Sequence, residues 1–382
     1  NGKHAEAIDS LYILEKQTRL AADMRSNTKL QLSIVKICYD NKNWASLMEN
    51  IIALTKKRSL IKNAVTKMVQ ECCAYVDNMP SKEVKIKFIE TLRTVTSGKI
   101  YVEVEYARLT HKLSKMKEDE GDLDEACKIL LELQIETYGS MEKKEKIDLL
   151  LEQMRLCMAR KDYTRTGIIA NKISKKSFDD ESTESQNQKL KYYRLMIELD
   201  SVEHSYLNIC RHYMAVCETP KVQNDPDKLH DALKNVVIFV LLAPHDNEQW
   251  DLLNRIKIDR RLESVQTYKD LVTLFTIEEL INWQKCVVEQ YRDILSLGSH
   301  SSPPTGVFDL SSEAGKKRWD HLQTRVVEHV SCYYHCCVSH QLPPYSASLD
   351  NVLSGLCLRI VVIFVIGIKY VCSCQDADLI HS

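Results

Sequence analysis

Short polar breaks recur about every forty residues along this chain, each followed by apolar positions spaced three and four apart. That spacing lines one face of an α-helix. Lys3-His4-Ala5-Glu6-Ala7-Ile8 opens one such segment and Asn43-Trp44-Ala45-Ser46-Leu47-Met48 the next. Gly121-Asp122-Leu123-Asp124-Glu125-Ala126 and Lys161-Asp162-Tyr163-Thr164-Arg165-Thr166 open two more. Pro80-Ser81-Lys82 falls near the slot between the second and third, and a looser copy begins around Glu203-His204-Ser205-Tyr206. A helix pair of this length cannot cover its own apolar face, so successive pairs must stack. The pattern predicts an all-α fold: a right-handed, TPR-like helical-repeat solenoid over residues 1–220.

Within the repeat from Gly121, Leu123, Ala126, Ile129, Leu130 and Leu133 form one stripe. Gly139 is expected to stop that helix and Ser140, with Glu142, to start the next, which carries Ile147, Leu150, Leu151, Met154 and Met158. Ser177 to Lys189 reads as an exposed polar loop. Asp225 before Pro226 is an N-cap followed by proline at the first helical position. The stripe Leu229, Ala232, Leu233, Val236, Val237, Val240 and Leu241 makes Val236 to Leu242 helix and not buried strand. Thr276-Ile277-Glu278-Glu279 has capping-box form and predicts a helix presenting Leu280, Trp283, Val287, Val288, Tyr291 and Leu295. Gly298 to Gly315 reads as a linker, followed by a helix with Trp319, Leu322 and Val326. Trp44, Trp283 and Trp319 fall on apolar stripes and are expected in the core.

Ten glycines and eight prolines in 382 residues favour long helices over turn-rich sheets. Lysine plus arginine (52) balance aspartate plus glutamate (53), so no global field draws in nucleic acid or anionic lipid. Lys56-Lys57-Arg58 and Lys316-Lys317-Arg318 are expected to be solvated helix faces. No secretory signal opens the chain, whose start at Asn1 is expected to fall short of the true N-terminus. Cys38, Cys127, Cys157 and Cys286 sit inside apolar helical patterns, as reduced, buried cysteines of an intracellular protein do. After His329 the sequence changes character. Residues 330–382 hold only five charged side chains and six of the fourteen cysteines. The apolar run Ile360 to Ile368 is far short of the roughly twenty residues a bilayer span needs, and a span from Val352 to Val371 would bury Arg359 and Lys369.

The search for chemistry returns no phosphate-binding loop, no His-Glu-x-x-His and no glycine-flanked serine elbow. Catalytic residues, cofactor-binding residues and metal ligands are all expected to be none. The one metal-like grouping is His329, Cys332, His335, Cys336, Cys337 and His340, with Cys372 and Cys374 as further donors. Its spacing matches no common zinc module, and cysteine-rich sequence without a metal is the favoured reading.

Several segments carry a family resemblance. They are Thr137-Tyr138-Gly139-Ser140-Met141-Glu142-Lys143-Lys144-Glu145 and Leu242-Ala243-Pro244-His245-Asp246-Asn247-Glu248-Gln249. Supporting them are Met68 to Cys73, Gly98 to Glu103, Lys317 to Trp319, and Arg325 to His329. In order along residues 1–329, they resemble the PCI-domain subunits of the proteasome regulatory-particle lid. The resemblance implies a helical arm, then the helical part of a PCI domain over residues 221–329, and a noncatalytic scaffolding role. It implies a hetero-oligomer with other PCI-family lid subunits, the lid deubiquitinating subunit, and the proteasome base and core particle, in cytoplasm and nucleus, without nucleic acid or membrane. Paralogous scaffolds of the COP9 signalosome or of translation initiation factor three are the alternative within that class. A zinc-binding regulator is the alternative outside it. The family's winged helix is missing or replaced here: residues 330–382 depart from the pattern, as a retained intron, shifted frame or aberrant transcript would produce.

Overall fold

The computed structural model describes residues 2–341 apart from 181, 278, 280 and 299–302, with side chains described between 4 and 330. Among the described residues there is no strand. The helices are α1 (Gly2–Leu20), α2 (Met24–Asp40), α3 (Trp44–Thr55), α4 (Lys62–Tyr75), α5 (Lys82–Thr96), α6 (Glu103–Asp119), α7 (Leu123–Leu131), α8 (Lys143–Ala159) and α9 (Tyr163–Ala170). There follow α10 (Thr183–Glu203), α11 (Tyr206–Cys217), α12 (Pro220–Gln223), α13 (Pro226–Leu242), α14 (Asn247–Ile258), α15 (Gln266–Leu274), α16 (Glu289–Ser296) and α17 (Glu313–Gln341). The described residues form two compact units that divide after Asp180.

In the first unit most helices pack on a sequence neighbour, and α2 packs also on α4, α3 on α5 and α4 on α6. This is how stacked pairs cover the apolar face that one pair leaves open. The core runs through Ile34, Leu47, Ile51, Met68, Phe88 and Leu92, all essentially inaccessible to solvent. Trp44 packs against its edge.

One turn recurs where the repeat restarts. A residue with positive φ (Lys42, Gly121, Lys161, His204, and likewise Ala22) ends one helix in the left-handed region. The next residue sends its N–H back five residues: Asn43 to the Cys38 carbonyl at 3.2 Å, Asp122 to Lys117 at 3.1 Å, Asp162 to Cys157 at 2.9 Å. That hydrogen bond closes the outgoing helix. The side chains of the same Asn43, Asp122 and Asp162 accept from Ser46, Glu125 and Arg165 N–H and so cap the incoming helix. One residue thus ends one helix and begins the next, and three chain positions suffice to reverse direction.

Polar side chains then tie each repeat to the following one at nearly constant separation. Gln70 reaches Glu105 at 2.8 Å, Arg93 reaches Glu132 at 2.6 Å, and Arg108 grips Glu145 through two bonds of 2.6 and 2.9 Å. Arg155 reaches Glu118 at 2.6 Å and Lys172 reaches Glu136 at 2.7 Å. Their sequence separations, 35 to 39 residues, are one repeat. Most of these pairs are partly exposed, so each adds little energy; their contribution is register.

In the second unit α13 is the central helix, packed by α11, α14, α15 and α17. Asp225 caps it, with Pro226 in its first turn, and Val236 through Leu242 are all buried within it. The α7–α8 turn differs from expectation. α7 ends at Leu131, a 3-10 turn spans Ile135–Thr137, and Glu142, not Ser140, precedes α8 without a side-chain cap. Ser140 instead donates its Oγ–H to Glu103 at 2.7 Å. The expected loop from Ser177 holds buried Phe178 and gives way at Thr183 to α10, with Ser182 as its cap. The start placed at Thr276 moves to Asn282, whose side chain accepts from Lys285 N–H, and a π-helical turn Trp283–Val288 leads into α16. The expected linker is anchored where it is described. Val307 and Phe308 are buried, and Lys234, only 2% exposed, donates to the Pro303 carbonyl at 3.3 Å and to Asp231 at 3.0 Å. Trp283 and Trp319 meet at 5.4 Å between ring centres, with Phe308 against Trp319.

Candidate functional site

Among the described residues no group of three or more His, Cys, Asp or Glu side chains is placed to hold a metal ion, and no helix is long and apolar enough to cross a membrane. Of the metal-like grouping, only His329 has a described side chain. Cys332, His335, Cys336, Cys337 and His340 lie on the last turns of α17 with side chains outside the described residues, and Cys372, Cys374 and the Ile360–Ile368 run fall outside them entirely. Cys38, Cys127 and Cys157 are free and buried, whereas Cys286 is free and only half-buried. Burial pushes the Cys157 thiol up to about 12, which leaves it without thiolate character near neutral pH.

Lys56 and Arg58 are exposed as expected of their cluster, but Lys57 is not. Lys57 Nζ lies 2.8 Å from Glu15, whose side chain is wholly buried, and sits 4.1 Å above the Tyr12 ring. Arg19 and Asn27 also bond to the Glu15 carboxylate, at 3.0 and 3.4 Å. Burial drives that carboxyl upward, but the bonds from Lys57, Asn27 and Arg19 outweigh it and hold it below its ordinary 4.5. Lys316 and Lys317 are exposed, whereas Arg318 donates to the Val307 carbonyl at 2.9 Å. A buried His212–Asp200 pair, 2.8 Å apart, ties α11 to α10. Sequence reasoning passed over it, since nothing in the local pattern separates it from two polar residues on helix surfaces.

The segments carrying the resemblance are structural in this fold. Ser140 and Glu145 clasp Glu103 and Arg108 of α6. Asp246 caps α14 by accepting from Gln249 N–H at 2.6 Å, while Gln249 Nε2 donates to the Val240 carbonyl at 3.0 Å, and this turns α13 into α14. Gln249, Arg325 and His329 line a cavity of about 20 Å³ beside Trp250. Ile13, Leu14, Leu20 and Met24 are 46 to 68% exposed along α1 and its turn into α2.

Residues 6–225 match the family model described as PSMD12/CSN4, N-terminal. The 26S proteasome regulatory subunit rpn501 of Schizosaccharomyces pombe is 42% identical over 336 residues, covering 86% of this chain and 74% of the relative. This chain belongs to the PSMD12/CSN4 family. The 26S proteasome non-ATPase regulatory subunit 12 of Dictyostelium discoideum is 40% identical over 338 residues, covering 87% of the chain and 72% of the relative. The regulatory subunit RPN5 of Saccharomyces cerevisiae is 36% identical, covering 86% and 73%. The family model ends at 225, just past α12 and the tight α10–α11 turn.

Proposed function

We propose that this chain is a noncatalytic structural subunit of the proteasome regulatory-particle lid, acting in ubiquitin-dependent degradation through protein–protein contacts. The observation that carries this is identity of 40 to 42% with proteasome regulatory subunits across more than four fifths of the chain. The family model spans signalosome and proteasome members alike, so the named relatives favour the proteasome over the COP9 signalosome. Residues 1–220 serve as the repeat arm and 221–329 as the helical part of a PCI domain. The partners are other PCI-family lid subunits, the lid deubiquitinating subunit, the base and the core particle, in cytoplasm and nucleus.

The absence of catalysis belongs to the same proposal. Buried cysteines with raised thiols and a His–Asp pair closed between two helices support it. Co-expression with the other lid subunits, followed by native mass spectrometry, tests the reading. Incorporation of one copy per lid is the expected result, and failure to enter a lid that assembles without this chain would overturn it.

A further inference from the structure

Three polar atoms of the second unit are buried without a hydrogen-bond partner and line one cavity: Gln249 Oε1, Arg325 Nε and His329 Nε2. Native interiors leave few such atoms unsatisfied, because each costs about 1–3 kcal/mol. Three around a single space call for a common partner, and their chemistry says which.

The role of each atom is fixed by its other bonds. Gln249 Nε2 donates to the Val240 carbonyl, so the amide cannot flip and Oε1 is left as a buried acceptor. The His329 ring is hydrogen-bonded by the backbone carbonyls of Ile277 and Glu279. With Nε2 left over, those bonds fall to Nδ1, which makes Nδ1 the protonated nitrogen and Nε2 an acceptor. Arg325 holds Glu328 through a terminal nitrogen at 2.7 Å, and its buried Nε–H is left without a partner. The cavity therefore presents two acceptors and one donor.

A water molecule matches that set: two hydrogens to give and a lone pair to receive. An anion would face two acceptor atoms, and a metal cation would face the Arg325 guanidinium. The size agrees as well. About 20 Å³ exceeds the roughly 10–15 Å³ a single water requires and is too little for a larger ligand. Leu241, Leu253 and Phe275 supply the apolar remainder of the wall.

We infer that this cavity is a binding site for one ordered water molecule, which joins α14 to α17 by bridging Gln249, Arg325 and His329. The bridge binds the start of α14 to the helix that leads into the divergent tail, and it holds His329 in its neutral, Nδ1-protonated form.

The test uses the full chain. In a high-resolution map, a solvent peak should lie about 2.7–3.1 Å from all three atoms; a cavity closed by side chains, or one without a peak, overturns the inference. Substitutions at Gln249 and His329 give a second readout. Gln249→Met and His329→Leu should lower Tm separately and, combined, by clearly less than the sum of the two shifts, because both remove the same water. Strict additivity would contradict a shared bridge. Should either variant fail to fold, nitrogen NMR of His329 in the unsubstituted chain decides: the Nδ1–H tautomer is expected, and the Nε2–H tautomer refutes the assignment.

Discussion

Replacing Lys57 by methionine should destabilise the start of the repeat arm much more than replacing its partner Glu15 by glutamine. The Glu15 side chain is completely buried, whereas Lys57 keeps 23% and Arg19 11% of its side-chain surface exposed. Removing Lys57 leaves a buried carboxylate held only by Arg19 and Asn27. Removing one member of a fully buried pair costs about 3–5 kcal/mol. The partly solvated setting and the surviving bonds lower the expectation for Lys57→Met to about 2–3 kcal/mol, a 30- to 150-fold effect. Glu15→Gln keeps the shape and the hydrogen bond from Asn27 and lets both cations turn to water, so the loss is about 1 kcal/mol. Native-state hydrogen exchange in α1 and α3 reads this locally. The same contact sets a pH dependence. The Glu15 carboxyl is held below 4.5, so its ion pairs stabilise the fold above that value and are lost as pH falls through the folded-state pKa. The gap between the unsubstituted chain and Lys57→Met should therefore narrow in acid. Equal losses for the two variants, or a gap indifferent to pH, would refute the buried-carboxylate account.

Other sites give equally definite expectations. A Cβ on Gly315 would lie 2.6 Å from the Asp309 carbonyl carbon, so Gly315→Ala should force the start of α17 off residues 307–309, lowering Tm and exposing Trp319 to fluorescence quenchers. Lys161 closes α8 with φ of +63°, a conformation that strains any side chain, so Lys161→Gly should raise stability by about 0.5–1 kcal/mol in urea titration. Burial, with a smaller contribution from nearby His245, holds His329 below its ordinary 6.5 despite the carbonyls of Glu279 and Ile277. The unfolded chain then takes the proton first, so stability should fall as pH drops below about 6.5 and level off below the folded value, a slope that His329→Leu removes.

Much of this fold could be read from local pattern. Asn43, Asp122, Asp162 and Asp225 stand at helix starts because a short polar side chain before an apolar stripe has one favourable use, and each caps a helix as that use requires. The left-handed positions were harder. Gly121 advertises one, but Lys42, Lys161 and His204 adopt the same conformation with nothing in their chemistry to announce it. Gly139 misled for the converse reason. It follows an apolar stripe, yet α7 has already ended at Leu131 and the chain continues through Ile135–Thr137. Pairs one repeat apart, such as Arg108 with Glu145 or Lys57 with Glu15, were invisible because charged residues are abundant on every helix and only stacking selects which of them meet. The cavity was less legible still. Gln249 lies more than seventy positions before Arg325 and His329, and the fold alone brings them together.

Quantitative mass spectrometry after affinity capture of the tagged full chain from cells tests the proposed place of this chain in the proteasome lid. Recovery of lid, base and core-particle subunits in stoichiometric amounts is the predicted result. Stoichiometric recovery of signalosome subunits in their place, or of the chain alone, would contradict it.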